Sequence, residues 1–500
     1  MRTLSKSKVL AFRQCPKRLW LEIHKPELRD DSAATKASFV VGHQVGEIAQ
    51  HLYDPKGTGV LIDPKTEGYP AAIARTQALL ATDQTIFEAT FSAEGGFAMA
   101  DILVPAKRAG KHVWRMVEVK SSTKVKDYHK DDAAIQSQVA RAAGVPLQSI
   151  ALAHIDSKWV YPGSEDYQGL LREQDLSEAA FNRADEVKGW IAEAQKVAAR
   201  RSEPLVTTGG QCTEPYPCGF FAYCRSHEPQ PEHPAIWLPN RKKKSLKALV
   251  DGNYAIEMTD VSDHLLNETQ KRVKEHTLSG EIFFDAGGAA ADLAQHKLPA
   301  YFLDFETIMF AVPIWKGTRP YQQIVFQFSV HHLSKKGELT DQAFLDLSGE
   351  DPSKKLAEAL VAACGARGPV FVYNAGFEKT RIKELAARFP GMKVALLAIN
   401  ERIVDLCPIA EQHYYHPSQR GSWSIKKVLP AAIPELRYDD LDGVKDGGMA
   451  MTAYMEAIAP NTSAARKTQI QEQLRAYCGL DTLAMVRLWQ MFTGRADLRP

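Results

Sequence analysis

The hydrophobic pattern changes character along the chain. From Phe97 to Val119 the apolar runs MADILV and WRMVEV read as two strands, joined by a polar turn, AKRAGKH. A helical period follows from about Asp131 to Ala143, and an Ala- and Glu-rich helix is expected from about Ser177 to Arg201. The segment EPQPEHP, Glu228 to Pro234, suits neither helix nor strand and reads as a linker. Residues 235–298 read as a small, mostly helical segment that opens on the basic run Arg241-Lys242-Lys243-Lys244. From Pro299 the runs YFLDFE, VFQFSVHHL and PVFVY predict strands, and KTRIKELAARF and LRAYCGLDTLAMVRLWQMF predict helices. Strands alternating with helices predict an α/β sheet covered by helices. The expected architecture is α/β and multidomain: residues 1–228, a linker and helical segment over 229–298, and residues 299–500. A chain of 500 residues exceeds what one core uses.

Composition adds exclusions. With 45% hydrophobic and 24% charged residues the balance is that of an ordinary globular protein. No apolar run is long enough for a bilayer, and the basic N-terminus lacks the apolar stretch of a signal peptide. A cytoplasmic protein with no membrane partner is expected. The net charge of +2 does not by itself indicate a nucleic-acid partner, although metal-binding carboxylates can offset a basic groove. Arg241–Lys244 is either a solvated surface or a phosphate contact. Seven cysteines, an odd number in a cytosolic chain, argue against a disulfide framework.

The chemistry lies in two constellations. In the C-terminal part, Asp304 and Glu306 are two apart on a strand and share a face. Two acids on an apolar strand are costly unless something neutralises them, and a divalent cation does so. Glu378 follows the strand PVFVY at the start of a helix, and Tyr477 and Asp481 share one face of the last helix. Four carboxylates and a phenol from separated segments are what a two-metal phosphodiester site requires. DFET, YNAGFE and YCGLD resemble the three motifs of DEDD exonucleases, the DnaQ-like branch of the ribonuclease H fold, in the DEDDy form with its Tyr-x-x-x-Asp third motif. The resemblance covers roughly residues 299–493. It implies that Asp304, Glu306 and Asp481 are metal ligands and that Tyr477 positions water. The second motif usually ends in Asp, and Glu378 stands there as the fourth acid. Asn374 becomes a supporting residue and Asp405 an outer candidate. Cys478, inside the third motif, reads as a small buried side chain. Trp423 reads either as a base-stacking aromatic beside Lys426 and Lys427 or as core.

In the N-terminal part, Asp101 begins one strand-like run, and Glu118 and Lys120 share a face of the next. Two acids for Mg²⁺ or Mn²⁺ and a lysine for phosphate charge suit metal-dependent phosphodiester cleavage. Gln136 lies on a helix able to close over the site. The set resembles the RecB-like branch of the PD-(D/E)XK nucleases, with Ala100 where proline is usual and Ala140 in place of the aromatic after the Gln. Gly46 stands near the place of that branch's helical His, and Glu47 and Glu88 are further candidate acids. Cys15, distant from the C-x5-C-x5-C group of Cys212, Cys218 and Cys224, completes a pattern similar to iron-sulfur RecB-like nucleases. The resemblance implies that these four thiols hold a [4Fe–4S] cluster, and zinc is the alternative for an all-thiolate site. The order of features looks like an uncharacterised bacterial family fusing the two nuclease types. The function so implied is hydrolysis of DNA in repair, recombination or defence. Two alternatives stand beside it: an RNA exonuclease whose N-terminal half grips substrate, and a non-catalytic nucleic-acid-binding protein.

Overall fold

Period-two alternation builds the larger of the two main sheets. In the computed structural model, which describes residues 2–252 and 255–495, the chain forms a mixed α/β protein of two compact units. One runs to Gln230 and takes in Phe310–Tyr321. The other comprises Pro231–Met309 and the chain after Tyr321. No helix among the described residues is long and apolar enough to cross a membrane.

The first unit is a seven-stranded mixed sheet. Its strands are β1 (Leu4–Ser5), β2 (Val60–Leu61), β3 (Ile86–Ala93), β4 (Gly96–Arg108), β5 (Lys111–Lys120), β6 (Leu147–Ile155) and β7 (Leu171–Asp175), running in the order β2-β3-β4-β5-β6-β7 with β1 beside β4. The helices that matter to the site are α1 (Lys6–Gln14), α2 (Pro16–His24), α3 (Ala33–Tyr53), α4 (Asp127–Ala142) and α5 (Ala184–Ala198). The expected polar turn is mostly strand. β4 runs to Arg108 and β5 starts at Lys111, so only Ala109 and Gly110 turn, both at positive φ, as a two-residue hairpin requires. The helix expected over 177–201 is two, Ser177–Phe181 and α5, parted at Asn182–Arg183. On β5, Trp114 and Met116 join the core cluster that holds Val139 of α4, whereas Val117 packs with Ala49 of α3. Glu118 and Lys120 continue the first of these faces, toward α4.

The second unit is a five-stranded sheet of β8 (Ala300–Ile308), β9 (Ile324–Leu333), β10 (Leu339–Leu345), β11 (Val370–Val372) and β12 (Ile403–Asp405), in the order β10-β9-β8-β11-β12. The β8–β9 and β9–β10 pairs are antiparallel, and β8–β11 and β11–β12 are parallel. Around it lie α6 (Lys244–Asp251), α7 (Glu268–Ser279), α8 (Ala286–Leu293), α9 (Ser353–Ala363), α10 (Gly376–Arg388), α11 (Ile425–Ala432), α12 (Gly447–Ile458) and α13 (Ala464–Thr493). The segment read as a separate helical piece shares a core with the sheet: Leu246, Val273 and Leu293 cluster with Phe302, Phe371 and Trp489. Along β8, Leu303 and Phe305 pack with Leu356 and Leu360 of α9. Ala300 and Phe302 face the other way, into the cluster that holds Met485 and Trp489 of α13. Asp304 and Glu306 therefore extend the face that meets α13.

Phe371, fully buried at the centre of this sheet, stacks on Phe302 with ring centroids 5.2 Å apart. Phe371→Ala removes the ring and leaves a cavity. The second unit should lose about 3–5 kcal/mol in urea unfolding, and a loss below about 1 kcal/mol would show that this core can collapse around the gap.

Candidate metal centres

Helical spacing brings the C-terminal constellation together. Tyr477, Asp481, Met485 and Trp489 recur every four residues on α13 and so share one stripe. Met485 and Trp489 anchor the stripe in the core, and Tyr477 and Asp481 carry it to the end of β8. Ligand oxygens of Asp304, Glu306 and Asp481 all lie within 4.8 Å of one another. Burial is the first consequence of this placement. It pushes the Asp304 carboxyl well above its usual range, reinforced by Asp481, Glu306 and Glu378. Burial and Asp481 push Glu306 up to about 8. Burial also raises Asp481 to about 6, against the opposing pull of Tyr438 and Lys426.

Glu378, in the first turn of α10, is 3% exposed, and its Oε2 is buried without a hydrogen-bond partner. Burial and Asp405 push it up to about 8. Glu378 lies outside the group within 4.8 Å, although its charge acts on Asp304; the three crowded acids are a donor set that fits divalent cations preferring oxygen. Asp405, the outer candidate, is a loop anchor: it accepts from the backbone N–H of Asn374 and Ala375 at 2.8 Å and of Cys407 at 3.0 Å. Asn374 itself bends the chain at φ 73° before α10. Cys478 is buried, and its thiol donates to Asp304 at 3.8 Å. The stacking alternative for Trp423 does not hold. The indole is 7% exposed and donates to the Tyr414 carbonyl at 2.7 Å, so it belongs to the core.

Two residues here escaped the sequence reading in these roles. Tyr438 donates its hydroxyl to Asp481 Oδ1 at 2.5 Å. Lys426, of α11, places its ammonium 4.9 Å from the Tyr477 ring centroid and 5.5 Å from that of Tyr438. Burial, reinforced by Asp481, raises both phenols far above the ordinary tyrosine value, so they stay protonated donors. No motif spacing marks Tyr438. Lys426 stood out in sequence only as a basic neighbour of Trp423.

The N-terminal constellation is compensated from within. Gln136 donates its amide to Glu118 Oε2, and Lys120 donates to Glu118 Oε1. Asp132, one helical turn before Gln136 on α4, completes the set: Lys120 Nζ lies 3.0 Å from its Oδ2. Lys6, at the start of α1, reaches Glu118 at 2.8 Å and Asp132 at 2.9 Å. Burial pushes Asp132 up, but Lys120 and Lys6 more than offset it and hold the group well below the usual carboxylate range. Asp101 is different. Burial and Glu118 push it up to about 8, and its Oδ2 accepts the Val119 N–H at 2.7 Å. Glu88 stands on β3 at φ 55°, a left-handed conformation within a strand, and burial, reinforced by Glu118, pushes its carboxyl above the usual range. Glu47, on α3, is exposed. The spacing from Gln136 could have pointed to Asp132. Nothing local marks Lys6.

All four cysteines of the predicted cluster line one small cavity with Lys17 and Arg18. Cys15 ends α1 and begins α2, Cys212 sits in a short turn, and Cys224 lies on the helix Phe221–Ser226. The amide of Gln14 ties α1 to this loop through the carbonyls of Gln211 and Tyr216, at 2.7 and 2.8 Å. Burial raises all four thiols, Cys224 to about 11. A donor set of four thiols fits an iron-sulfur cluster or zinc.

Comparison with known proteins leaves the function open. Residues 301–424 match a family described as a domain of unknown function (DUF2779). That stretch contains Asp304, Glu306 and Glu378 and stops before α13. An uncharacterized protein of Mycoplasma genitalium is 28% identical over 213 residues, which covers 38% of this chain and 31% of that protein. The match thus spans about a third of the relative's length.

The raised carboxyls of the second unit predict a pH dependence. Folded Glu306 and Glu378 keep protons up to about 8, whereas in the unfolded chain they lose them near 4.5. Protons held only by the folded state stabilise it at low pH, so without divalent cations the second unit's stability should fall as pH rises from 4.5 toward 8. Added Mn²⁺ should raise the melting temperature more at the upper end of that window than at the lower. A Glu378→Gln variant should flatten the slope. Equal Mn²⁺ shifts at both ends would contradict a carboxylate metal centre.

Proposed function

We propose that the protein is a metal-dependent nuclease that hydrolyses phosphodiester bonds of DNA through two sites. One is a DnaQ-like 3′→5′ exonuclease site in the C-terminal part, with a ribonuclease H-like fold over about 299–500. The other is a RecB-like PD-(D/E)XK site in residues 1–228. The observation that carries the reading is the meeting of Asp304 and Glu306 from β8 with Asp481 from α13 inside 4.8 Å, Asp304 half-buried, the other two buried and all mutually repelling. When bound, two Mg²⁺ or Mn²⁺ ions supply activation of the attacking water and stabilisation of the leaving oxygen.

Asp304, Glu306, Glu378 and Asp481 are the ligand set. Tyr477 orients the water through its protonated hydroxyl, and Tyr438 fixes one oxygen of Asp481. Lys426 brings positive charge to the side where a phosphate would enter. At the second site Asp101 and Glu118 are the metal-binding acids, Lys120 holds charge on the attacked phosphate, and Gln136 orients Glu118. Cys15, Cys212, Cys218 and Cys224 hold a [4Fe–4S] cluster in a structural role. It closes about two hundred residues into one loop.

End-labelled single- and double-stranded DNA, with RNA in parallel and with or without Mn²⁺, tests the reading. Asp304→Ala should abolish metal-dependent removal of nucleotides from 3′ ends, and Tyr477→Phe should slow it less. Lys120→Ala should leave that activity and remove a different cleavage. A double variant, Lys120→Ala with Asp304→Ala, that still cuts would sink the two-site assignment, and cleavage of RNA alone would move the substrate from DNA to RNA.

Protein purified without oxygen should be brown and bleach with dithionite. Cys224→Ala should lose the colour and destabilise the first unit. Colourless protein with one equivalent of zinc and no iron would replace the cluster by a zinc staple.

A further inference from the structure

The second unit carries a basic pocket of about 430 Å³ beside its carboxylate centre in the chain, outside every motif assigned above. Two loops build it. The first follows the linker: Ala235 and Leu238 are fully buried anchors, and Asn240 turns the chain at φ 50°. The loop folds around its own Arg241, whose guanidinium donates to the carbonyls of Ile236 and, at 2.8 Å, Leu238. The Gln270 amide of α7 clamps the Pro239 carbonyl at 2.7 Å. The second loop is Arg420-Gly421-Ser422. Arg420, at φ 52°, lays its guanidinium over Trp237, 5.0 Å from the ring centroid. Gly421 lies against the first loop so closely that a Cβ there would sit 1.7 Å from the Trp237 carbonyl oxygen. Both loops are thus fixed, and the pocket is a preformed feature.

Its charge is one-sided. Arg241, Lys247 and Arg420 line it, and the lining acid Asp251 is already paired with Lys247. Lys242, Lys243 and Lys244 stand exposed next to Arg241, and Ile236 is 58% exposed. Cations around a half-buried tryptophan and the exposed Ile236 match a polyanion with flat apolar rings. The sequence then sets the distance to the acids. Lys426, at the carboxylate centre, follows Ser422 by four residues, so their Cα atoms are at most roughly 14 Å apart.

We propose that this pocket, built on Trp237, Arg241, Lys247 and Arg420, holds the phosphodiester backbone of the single nucleic-acid strand whose end lies at Asp304, Glu306 and Asp481. The proposal rests on the nuclease reading of the second unit and adds the path of the strand. Lys247 and Arg420 contact phosphates, Arg241 holds the first loop in shape, and Trp237 beside Arg420 offers a ring that tolerates any base. The helical segment before β8 is then a strand guide rather than a spacer.

The test is equilibrium binding of fluorescein-labelled oligo(dT) and oligo(rU) of about twenty nucleotides to the full chain in EDTA, read by anisotropy across about 50 to 200 mM salt. The Lys247→Glu, Arg420→Glu double variant should bind about tenfold or more weakly at the low-salt end, with its log–log salt slope reduced by about 1.4, the value for two lost phosphate contacts on a single strand. Arg420→Gln alone should move both quantities the same way by a smaller amount, which covers the case in which the double variant fails to melt cooperatively. Lys354→Glu, a charge reversal on α9 that does not line the pocket, should bind like the wild type. A double variant with wild-type affinity and slope overturns the pocket while leaving the nuclease reading intact. So does a Lys354→Glu variant weakened equally, because the effect is then one of net charge. A wild-type protein that binds neither strand overturns both.

Discussion

Repulsion among buried carboxylates is the constraint on which the second unit depends. Asp304, Glu306 and Asp481 lie too close and too deep for all to be ionised without a cation between them, and each is driven upward by burial before any neighbour acts. A fold left to relax would splay them apart. It cannot, because β8 is fixed on both faces, by α9 through Leu303 and Phe305 and by α13 through Phe302. The hydrophobic contacts on either side of the acids hold the electrostatic strain in place. Strain of that kind persists only where the surrounding packing over-determines the geometry.

The first unit solves the same problem differently. Glu118 and Asp132 are each in contact with Lys6 and Lys120, so their charge is balanced by the chain itself, and Asp101 is left as the acid most disfavoured in its ionised form. Lys6 and the first cysteine of the thiol group stand at the two ends of one helix, α1. With about 1.5 Å of rise per residue, that helix is a short, stiff connection between the thiol cavity and the acid cluster.

Much of this was legible in the sequence because it is periodic. Two-residue spacing placed Asp304 with Glu306 and Glu118 with Lys120, and four-residue spacing placed Tyr477 with Asp481. In the structure these pairs share the faces that the periods require. Apart from Asp132, four residues before Gln136 on α4, what escaped was non-periodic. Tyr438 sits in a single turn of helix, and Lys6 reaches its partners across more than a hundred residues, so neither is marked by its neighbours in sequence. Trp423 stayed open between surface and core for a related reason. A tryptophan flanked by serines and lysines has the composition of a surface, but its N–H finds the Tyr414 carbonyl, and that one bond makes burial tolerable. The hairpin between β4 and β5 was misjudged because charged residues can occupy a strand whose faces reach solvent.

The single stripe on α13 makes the reading frame of that helix a structural quantity. At 3.6 residues per turn, one inserted residue rotates everything beyond it by about 100°. An insertion between Asp481 and Met485 would therefore leave the helix unable to present its acid to β8 and its tryptophan to the core at once. Loops between elements face no such periodic rule, and where no side chain clamps them each doubling of length costs only about 0.6 kcal/mol. An insertion inside the thirty-residue helix therefore costs the site or the core, whereas a substitution off the stripe costs neither.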